Sequence, residues 1–250
     1  TPFVSEEATR RDVELMLIGA IEFGVPMIIG SAGGGGSNAQ VAWTTDIVED
    51  LAHKHGMAFK LAVINSEPDK GYLKDKLASG KIAPLGPIDD LTVNDIDQAA
   101  RIVAMMGVEP LQAALAAEAN VIIAGRCSDA AIYAALPIML GYNPGQAWHL
   151  GKIVECGAQV IEPREGQDCI IGTLQDGYFE VEPGHPEKNC TKTRVAAHTL
   201  YENPLPHELK EPSGVLDSSR CSFQQIDPRT VRVSGSSFLP TESYTVKLEG

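Results

Sequence analysis

Ionisable side chains that could move protons or hold an anion occur at two places in the sequence. Arg126 and Asp129 follow an apolar run after a single glycine. A guanidinium there can hold a carboxylate or a phosphate, and a carboxylate can act as a base. His149 and Lys152 lie three residues apart on a predicted helix, so they share one side of it, with Glu155 beside them. This combination favours acid–base chemistry on an anionic substrate.

Both places also have simpler interpretations. Arg126 and Asp129 would suit an ion pair that only caps a helix and fixes the turn before it. A helix with Lys and His on one side is usually a solvated surface, but the apolar neighbours of Lys152 indicate partial burial. Partial burial favours a catalytic use of such groups. We therefore predict Lys152, Glu155 and Asp129 as the catalytic residues.

A glycine-rich turn connects a short apolar run to a predicted helix early in the chain. The run ends at Ile29, consecutive glycines fill positions 33–36, and Ser37 is a helix-capping residue type. In such a turn, backbone N–H groups and the helix dipole together attract an anion. The spacing matches neither established phosphate-binding fingerprint, so a turn without a ligand is the alternative. The residues predicted to contact the substrate are Ser31, Gly33, Gly34, Gly35, Gly36, Ser37, Arg126 and His149.

The order of apolar runs and helical patterns predicts an α/β fold. Runs at Val25–Ile29, Phe59–Ile64 and Val121–Ala124 have the length and composition of buried strands, and helical patterns separate them. This succession is typical of a mostly parallel, doubly wound sheet. One of the predicted helices begins at the capping residue Thr92 and continues through Met106. Polar residues at the carboxyl ends of the strands lie where such sheets keep their ligands.

The pattern changes in the last third of the chain to short segments of alternating polarity. Asp176 and Gly177 form a hairpin-turn pair, and the run Tyr244–Leu248 is strand-like. We therefore predict an α/β domain over residues 1–165, which carries the glycine-rich turn. A smaller β-rich region of α+β type follows over residues 166–250, and we expect it to be incomplete at its C-terminus.

Composition excludes several classes of function. The 250 residues carry a net charge of −13, which disfavours nucleic acid as a partner. No apolar run approaches the ~20 residues that span a bilayer, so we expect no membrane partner. The five cysteines never form a CxxC pair, which favours reduced thiols in a cytoplasmic protein. Glu67 and Asp69 lack a third ligand at a recognisable spacing, so no metal is predicted. The sequence identifies no cofactor.

Several runs, in order, resemble the acyclic terpene utilisation (AtuA-like) family. They occupy residues 28–34, 123–126, 149–158, 195–202 and 244–250, and together they extend over nearly the whole chain. The resemblance implies that relatives continue beyond both ends of this chain. It also implies catabolism of branched or terpenoid acids, often with a small, separately encoded partner protein, but it implies no settled reaction. Where relatives often have an apolar or aromatic pair after Gly-Arg, this chain has Cys127 and Ser128.

These observations lead to one main functional hypothesis and two alternatives. The main hypothesis is a catabolic enzyme of the lyase or hydratase type that acts on a small carboxylate or an acyl-CoA. The first alternative is a non-catalytic binding or scaffolding subunit that works with a small partner protein. The second is a nucleotide-binding phosphotransferase. In each case we expect a homo- or hetero-oligomer.

Overall fold

The computed structural model describes residues 2–166, 168–203 and 205–250. The helices are α1 (Glu6–Phe23), α2 (Asn38–His55), α3 (Lys70–Ala78), α4 (Val93–Gln98), α5 (Glu109–Ala116), α6 (Ala131–Met139), α7 (Pro144–Glu155) and α8 (Lys192–Thr199). The strands are β1 (Met27–Ile29), β2 (Leu61–Ile64), β3 (Val103–Ala104), β4 (Val121–Ala124), β5 (Ile161–Glu162), β6 (Ile170–Gln175), β7 (Tyr178–Pro183), β8 (Asn189–Cys190), β9 (Glu208–Glu211), β10 (Gly214–Asp217), β11 (Ser222–Gln225), β12 (Val231–Ser234), β13 (Ser237–Pro240) and β14 (Leu248–Glu249).

Contacts between residues divide the chain into two compact units. The first unit consists of residues 1–106, 113–127 and 246–250, and the second of residues 107–112 and 128–245. The predicted border between residues 165 and 166 falls inside the second unit, and it stays a prediction about separate domains. Among the described residues, no helix combines the length and the apolar character that crossing a membrane requires.

A parallel sheet forms the centre of the first unit. Its strands follow the order β1-β4-β2, and Ile122 of β4 pairs with Ile28 on one side and Ala62 on the other. Every residue of β4 is buried, as expected for the middle strand of a parallel sheet. Leu17 of α1 and Val48 of α2 are fully buried in the same apolar cluster as β4. The α/β prediction is therefore confirmed.

The predicted helix from Thr92 to Met106 is wrong in its second half. The side chains of Thr92 and Asp95 form a capping box at the start of α4, but this helix ends at Gln98. The chain then forms β3, which pairs antiparallel with β14 at the other end of the sequence. The residues of β3, Val103 and Ala104, are apolar and would also fit one side of a helix. Their strand partner is too far away in sequence for a local pattern to indicate it. The strand predicted over Tyr244–Leu248 is likewise wrong in its extent, because β14 begins only at Leu248.

Antiparallel sheets dominate the second unit. Strands β6 and β7 form the predicted hairpin around Asp176 and Gly177, and Gly177 has a left-handed φ of 89°. This hairpin continues into a sheet of order β11-β12-β7-β6, while β13-β10-β9 form a second antiparallel sheet. Helix α7 contributes Ile153 to an apolar core that contains Phe179 of β7 and Val233 of β12. Ile153 thus anchors α7 on this antiparallel sheet.

Candidate functional site

Three loops at the carboxyl ends of the parallel strands meet through their backbones in the first unit. A Cβ atom on Gly36 would lie 2.1 Å from the backbone nitrogen of Arg126, and one on Gly125 would lie 2.8 Å from the carbonyl oxygen of Gly36. The buried Ser66 hydroxyl donates to the Gly36 carbonyl at 3.0 Å and accepts from the Arg126 backbone N–H at 2.6 Å. Only glycine permits this approach, so Gly36 and Gly125 are required for packing.

Backbone N–H groups of the glycine-rich turn bond within the turn itself. The N–H of Gly34 donates to the carbonyl of Ser31 at 2.8 Å, and that of Gly36 donates to the carbonyl of Ala32 at 3.0 Å. Ser31 takes a left-handed φ of 46°, which is uncommon outside glycine. An anion bound by these N–H groups would have to replace the internal carbonyl acceptors. Anion binding by Gly33–Gly36 stays a prediction.

Internal side chains also cover the start of α2. The backbone N–H of Ser37 donates to the side-chain oxygen of Gln40 at 3.1 Å. The backbone N–H of Asn38 donates to the Glu67 carboxylate at 2.5 Å, and Arg101 donates to the same carboxylate at 3.2 Å. A carboxylate therefore occupies the position at the helix N-terminus that an anionic ligand would take.

The Arg126 guanidinium is held by groups of its own unit. Its Nε donates to Glu249 at 2.8 Å, and Nη1 donates to the Ser31 hydroxyl at 3.0 Å and to the Cys127 carbonyl at 2.7 Å. The hydrogen bond from Arg126 lowers the pKa of Glu249 to about 2. A substrate carboxylate at Arg126 would compete with that of Glu249. The prediction that Arg126 contacts the substrate remains untested by this geometry.

In the second unit, Lys152 and Glu155 form a buried ion pair on α7. The ammonium of Lys152 donates to the Glu155 carboxylate at 3.0 Å, and the two side chains are only 6% and 9% exposed. Helix α7 approaches the start of α6 closely, since a Cβ atom on Gly151 would lie 2.5 Å from the carbonyl oxygen of Ala130. The burial expected for this side of the helix is confirmed. Burying two charges carries a large desolvation cost, which good geometry only offsets.

A second buried acid, Glu211 at the end of β9, belongs to the surroundings of Lys152. Glu211 is 7% exposed, and the Ser128 side chain is among the groups that act on its pKa. Burial raises the pKa of Glu211 to about 8. The charges of Asp129 and Glu155 act in the same direction as burial and Ser128 and Lys152 act in the opposite direction, so the value of about 8 is the net result. At neutral pH most Glu211 side chains therefore carry a proton. The Oε2 atom of Glu211 has no hydrogen-bond partner among the described residues.

His198 on α8 is a further buried group next to Lys152. Its ring stacks on the ring of Tyr201, with 5.5 Å between the centroids, and interacts electrostatically with Lys152. Burial lowers the pKa of His198, so the ring is neutral at neutral pH. Its Nε2 atom is buried and finds no partner within the described part of the chain. The ring of Tyr201 also lies 5.3 Å from Nζ of Lys152, in a cation–π contact.

His149 is a core residue. Its side chain is fully buried, Nδ1 lies 2.7 Å from the Ser236 hydroxyl, and Nε2 lies 2.9 Å from the Thr199 hydroxyl. Burial lowers the pKa of His149 to about 3. A contact between His149 and a substrate stays a prediction, and it would require Ser236 or Thr199 to move.

The predicted site residues divide between the two units. Those in the first unit are Ser31, Gly33, Gly34, Gly35, Gly36, Ser37 and Arg126. Those in the second unit are Asp129, His149, Lys152 and Glu155. Within the second unit, Lys152 and Glu155 are paired, and both they and Asp129 act electrostatically on Glu211.

Sequence reasoning missed the contribution of Glu211, Ser128 and Tyr201. The sequence also does not indicate that Nε2 of His198 is buried without a partner among the described residues. A buried carboxyl at Glu211 has no local signal, because it depends on Ser128 and α7, which are distant in sequence. Only the histidine within the otherwise apolar run of α8 was visible in the sequence.

Neither the cavity nor the acidic and thiol groups of the described residues point to another site. An open cavity of about 360 Å³ in the second unit is lined by residues that include Thr199, His207 and Phe223. None of the predicted catalytic residues lines it, so its shape gives no support to the acid–base chemistry. No group of three or more His, Cys, Asp or Glu side chains in these residues could hold a metal ion.

The comparison with known proteins gives one family and no individual relative. A family model described as acyclic terpene utilisation family protein AtuA matches residues 16–250. No curated protein matches the chain, and no solved structure matches it either. The matched span includes every predicted site residue in both units.

Proposed function

The chain belongs to the acyclic terpene utilisation family AtuA, and we propose that it is a catabolic enzyme of the lyase or hydratase type. Its substrate is a small carboxylate or an acyl-CoA. The observation that carries the proposal is the buried Lys152–Glu155 pair with the buried Glu211 carboxyl beside it.

The energetic cost of burying these groups indicates that they serve function rather than stability. A buried ion pair is often no more stable than apolar residues of the same volume, because desolvation offsets the attraction between the charges. Glu211 adds a second cost, since its Oε2 atom is buried with no partner among the described residues. Groups kept at such a cost, with a strongly shifted pKa at one of them, are typical of catalytic sites.

The residue types fit removal or addition of water next to a carbonyl group. A carboxylate, Glu155 or Asp129, takes the proton from the carbon beside the carbonyl. The hydroxyl group on the next carbon leaves as water after it receives a proton from an acid of the site. The Lys152 ammonium stabilises the negative charge that develops on the carbonyl oxygen. Electrons are neither gained nor lost, so the reaction requires no redox partner.

For the first unit, we propose that Gly33–Gly36 and Arg126 bind an anionic group. The support is that carboxylates of the chain lie next to the turn and at the guanidinium, Glu67 on the N–H of Asn38 at the start of α2 and Glu249 on Arg126. Replacing Glu67 by glutamine removes the competing charge at the first place. Titration calorimetry with butyrate should show tighter binding to Glu67→Gln than to the wild type. Equal affinities would refute this part of the proposal.

A cytoplasmic location is part of the same proposal. All five cysteines are free, as expected in a reducing compartment. The second candidate function is a non-catalytic subunit that binds a small partner protein. It is favoured by the exposed apolar residues Leu15, Met16 and Phe23 of α1, which a partner could cover.

The test of catalysis is isotope exchange with and without the buried pair. Acyl-CoAs and hydroxyacyl-CoAs are incubated with the protein in D₂O, and NMR follows deuterium entry beside the carbonyl and water addition or loss. Lys152→Met and Glu155→Gln should each reduce the rate by roughly 10²- to 10⁴-fold. Lys210→Met, which changes an exposed lysine on β9, is the matched control and should have no effect. Unchanged rates in the α7 variants would refute the assignment.

A further inference from the structure

We propose that Glu211 and His198 bind substrate next to the Lys152–Glu155 pair. We call these four residues the Lys152 site. The Glu211 carboxyl group donates a hydrogen bond to a substrate oxygen anion, and Nε2 of His198 accepts one from a substrate hydroxyl group. The ligand class that combines these two groups is a hydroxy acid or its thioester. This inference rests on the proposed function and adds the substrate class to it.

Two buried polar atoms without partners are the first support. Oε2 of Glu211 and Nε2 of His198 make no hydrogen bond within the described residues, although both atoms are shielded from solvent. Buried polar atoms in folded proteins nearly always have a partner, so an exception requires a reason. Of the four such atoms among the described residues, these two belong to side chains that interact electrostatically with Lys152. A polar ligand beside Lys152 would supply the missing partners.

The protonation states decide which ligand atoms fit. Glu211 faces Ser128, Asp129, Lys152 and Glu155, and the net effect of its burial and of these groups raises its pKa to about 8. The carboxyl group is therefore a donor at neutral pH. With the Lys152 ammonium, it forms a pair of donors suited to an oxygen anion, in the way that a neutral carboxylic acid can stabilise an enolate oxygen.

His198 has the complementary role. Nε2 is the ring nitrogen without a partner among the described residues, whereas the main chain of Lys152 favours the charged form of the ring, as a carbonyl oxygen facing the other nitrogen does. Burial lowers the pKa of His198 and keeps the ring neutral, so the remaining nitrogen, Nε2, is an acceptor. An acceptor at this place can receive a hydrogen bond from a hydroxyl group of the ligand. An unsubstituted acid would present only a C–H group there.

The experiment compares two small acids that differ in one hydroxyl group. Calorimetry or NMR titration measures the affinity of the protein for 3-hydroxybutyrate and for butyrate at pH 6.5 and pH 9. The wild type should bind 3-hydroxybutyrate at least 10-fold more tightly than butyrate. It should also lose up to about 10-fold in affinity for both at pH 9, where most Glu211 is ionised and the ligands have not changed charge.

Variants distinguish the contributions of Glu211 and His198 to binding. Glu211→Gln keeps a donor, so binding should persist and lose most of its pH dependence, whereas Glu211→Met should weaken it at least 10-fold. His198→Phe should abolish the preference for 3-hydroxybutyrate. Glu208→Gln makes the same substitution on the same strand at a partly exposed position, and it should behave like the wild type. Thermal unfolding of each variant confirms that it is folded.

The results that overturn the inference differ from those that overturn the catalytic proposal. Equal affinities of the wild type for the two acids, no binding of either, or variants with unchanged affinities would overturn the inference. Binding that follows the expected pattern, with no isotope exchange on any thioester, would instead support the inference as a binding site and remove the proposed catalysis.

Discussion

Replacing Glu211 by glutamine should change stability by an amount that depends on pH. Burial raises the pKa of Glu211 from 4.5 to about 8, so the folded protein keeps a proton that the unfolded chain has lost. Because folding raises the pKa of Glu211, this carboxyl group destabilises the folded protein least below pH 4.5. The free energy of unfolding then falls as the pH rises toward 8. Glutamine has a similar shape and does not titrate.

The size of the effect follows from the two pKa values. Proton linkage between 4.5 and about 8 gives a loss of roughly 2–3 kcal/mol between pH 5 and pH 7. By pH 8 the loss reaches about 4 kcal/mol, where the folded carboxyl begins to ionise. The wild type should therefore become progressively less stable relative to Glu211→Gln over this interval.

Urea unfolding at pH 5, 6, 7 and 8 measures the difference between the two proteins. Other titrating groups are common to both and largely cancel, apart from Asp129, Lys152 and Glu155, which act on Glu211 directly. Glu208→Gln, compared with the wild type in the same way, should show a difference that is nearly independent of pH. The reasoning is refuted if the Glu211→Gln difference varies by less than about 0.5 kcal/mol from pH 5 to pH 8.

Three further substitutions test the packing and the ion pairs by unfolding in urea. Gly36→Ala should lower the unfolding free energy by about 2–4 kcal/mol, because its Cβ would overlap the Arg126 backbone at a left-handed φ of 69°; a loss under about 1 kcal/mol would contradict the close approach. Lys152→Met should lower the unfolding free energy by about 3–5 kcal/mol, because it leaves Glu155 unpaired. Adding Glu155→Leu should restore most of this stability. Equal losses in the single and double variants would argue against a buried pair. Glu249→Gln should cost about 1 kcal/mol at pH 7, a modest figure because the pair is partly exposed. Arg126 lowers the pKa of Glu249 to about 2, so the stabilisation is present above pH 4.5 and is lost as the pH falls toward 2. A loss that is the same at pH 7 and pH 3 would contradict this.

The elements that local chemistry determines could be predicted from the sequence. Buried strands stand out as short apolar runs, and β1, β2 and β4 lie within the predicted runs. The glycine-rich turn leads directly into α2, with Ser37 as its N-cap. The hairpin at Asp176 and Gly177 follows from its turn residues.

The features that depend on distant contacts could not be predicted in this way. Strand β3 exists because it pairs with β14, and the same residues would have fitted a helix. Glu211 becomes a buried acid only through Ser128 and the α7 side chains, none of which is near it in sequence. Ser66 joins the loops after β1 and β4, although in the sequence it is one serine after an apolar run.

The most direct test of the Lys152 site is a crystal structure of the protein with 3-hydroxybutyrate. We expect the carboxylate of the ligand within hydrogen-bonding distance of Lys152 Nζ and Glu211 Oε2, and the hydroxyl group on His198 Nε2. A ligand that binds only in the cavity beside Thr199, or only at the glycine-rich turn, would contradict the assignment of Lys152, Glu155 and Glu211 as the functional site.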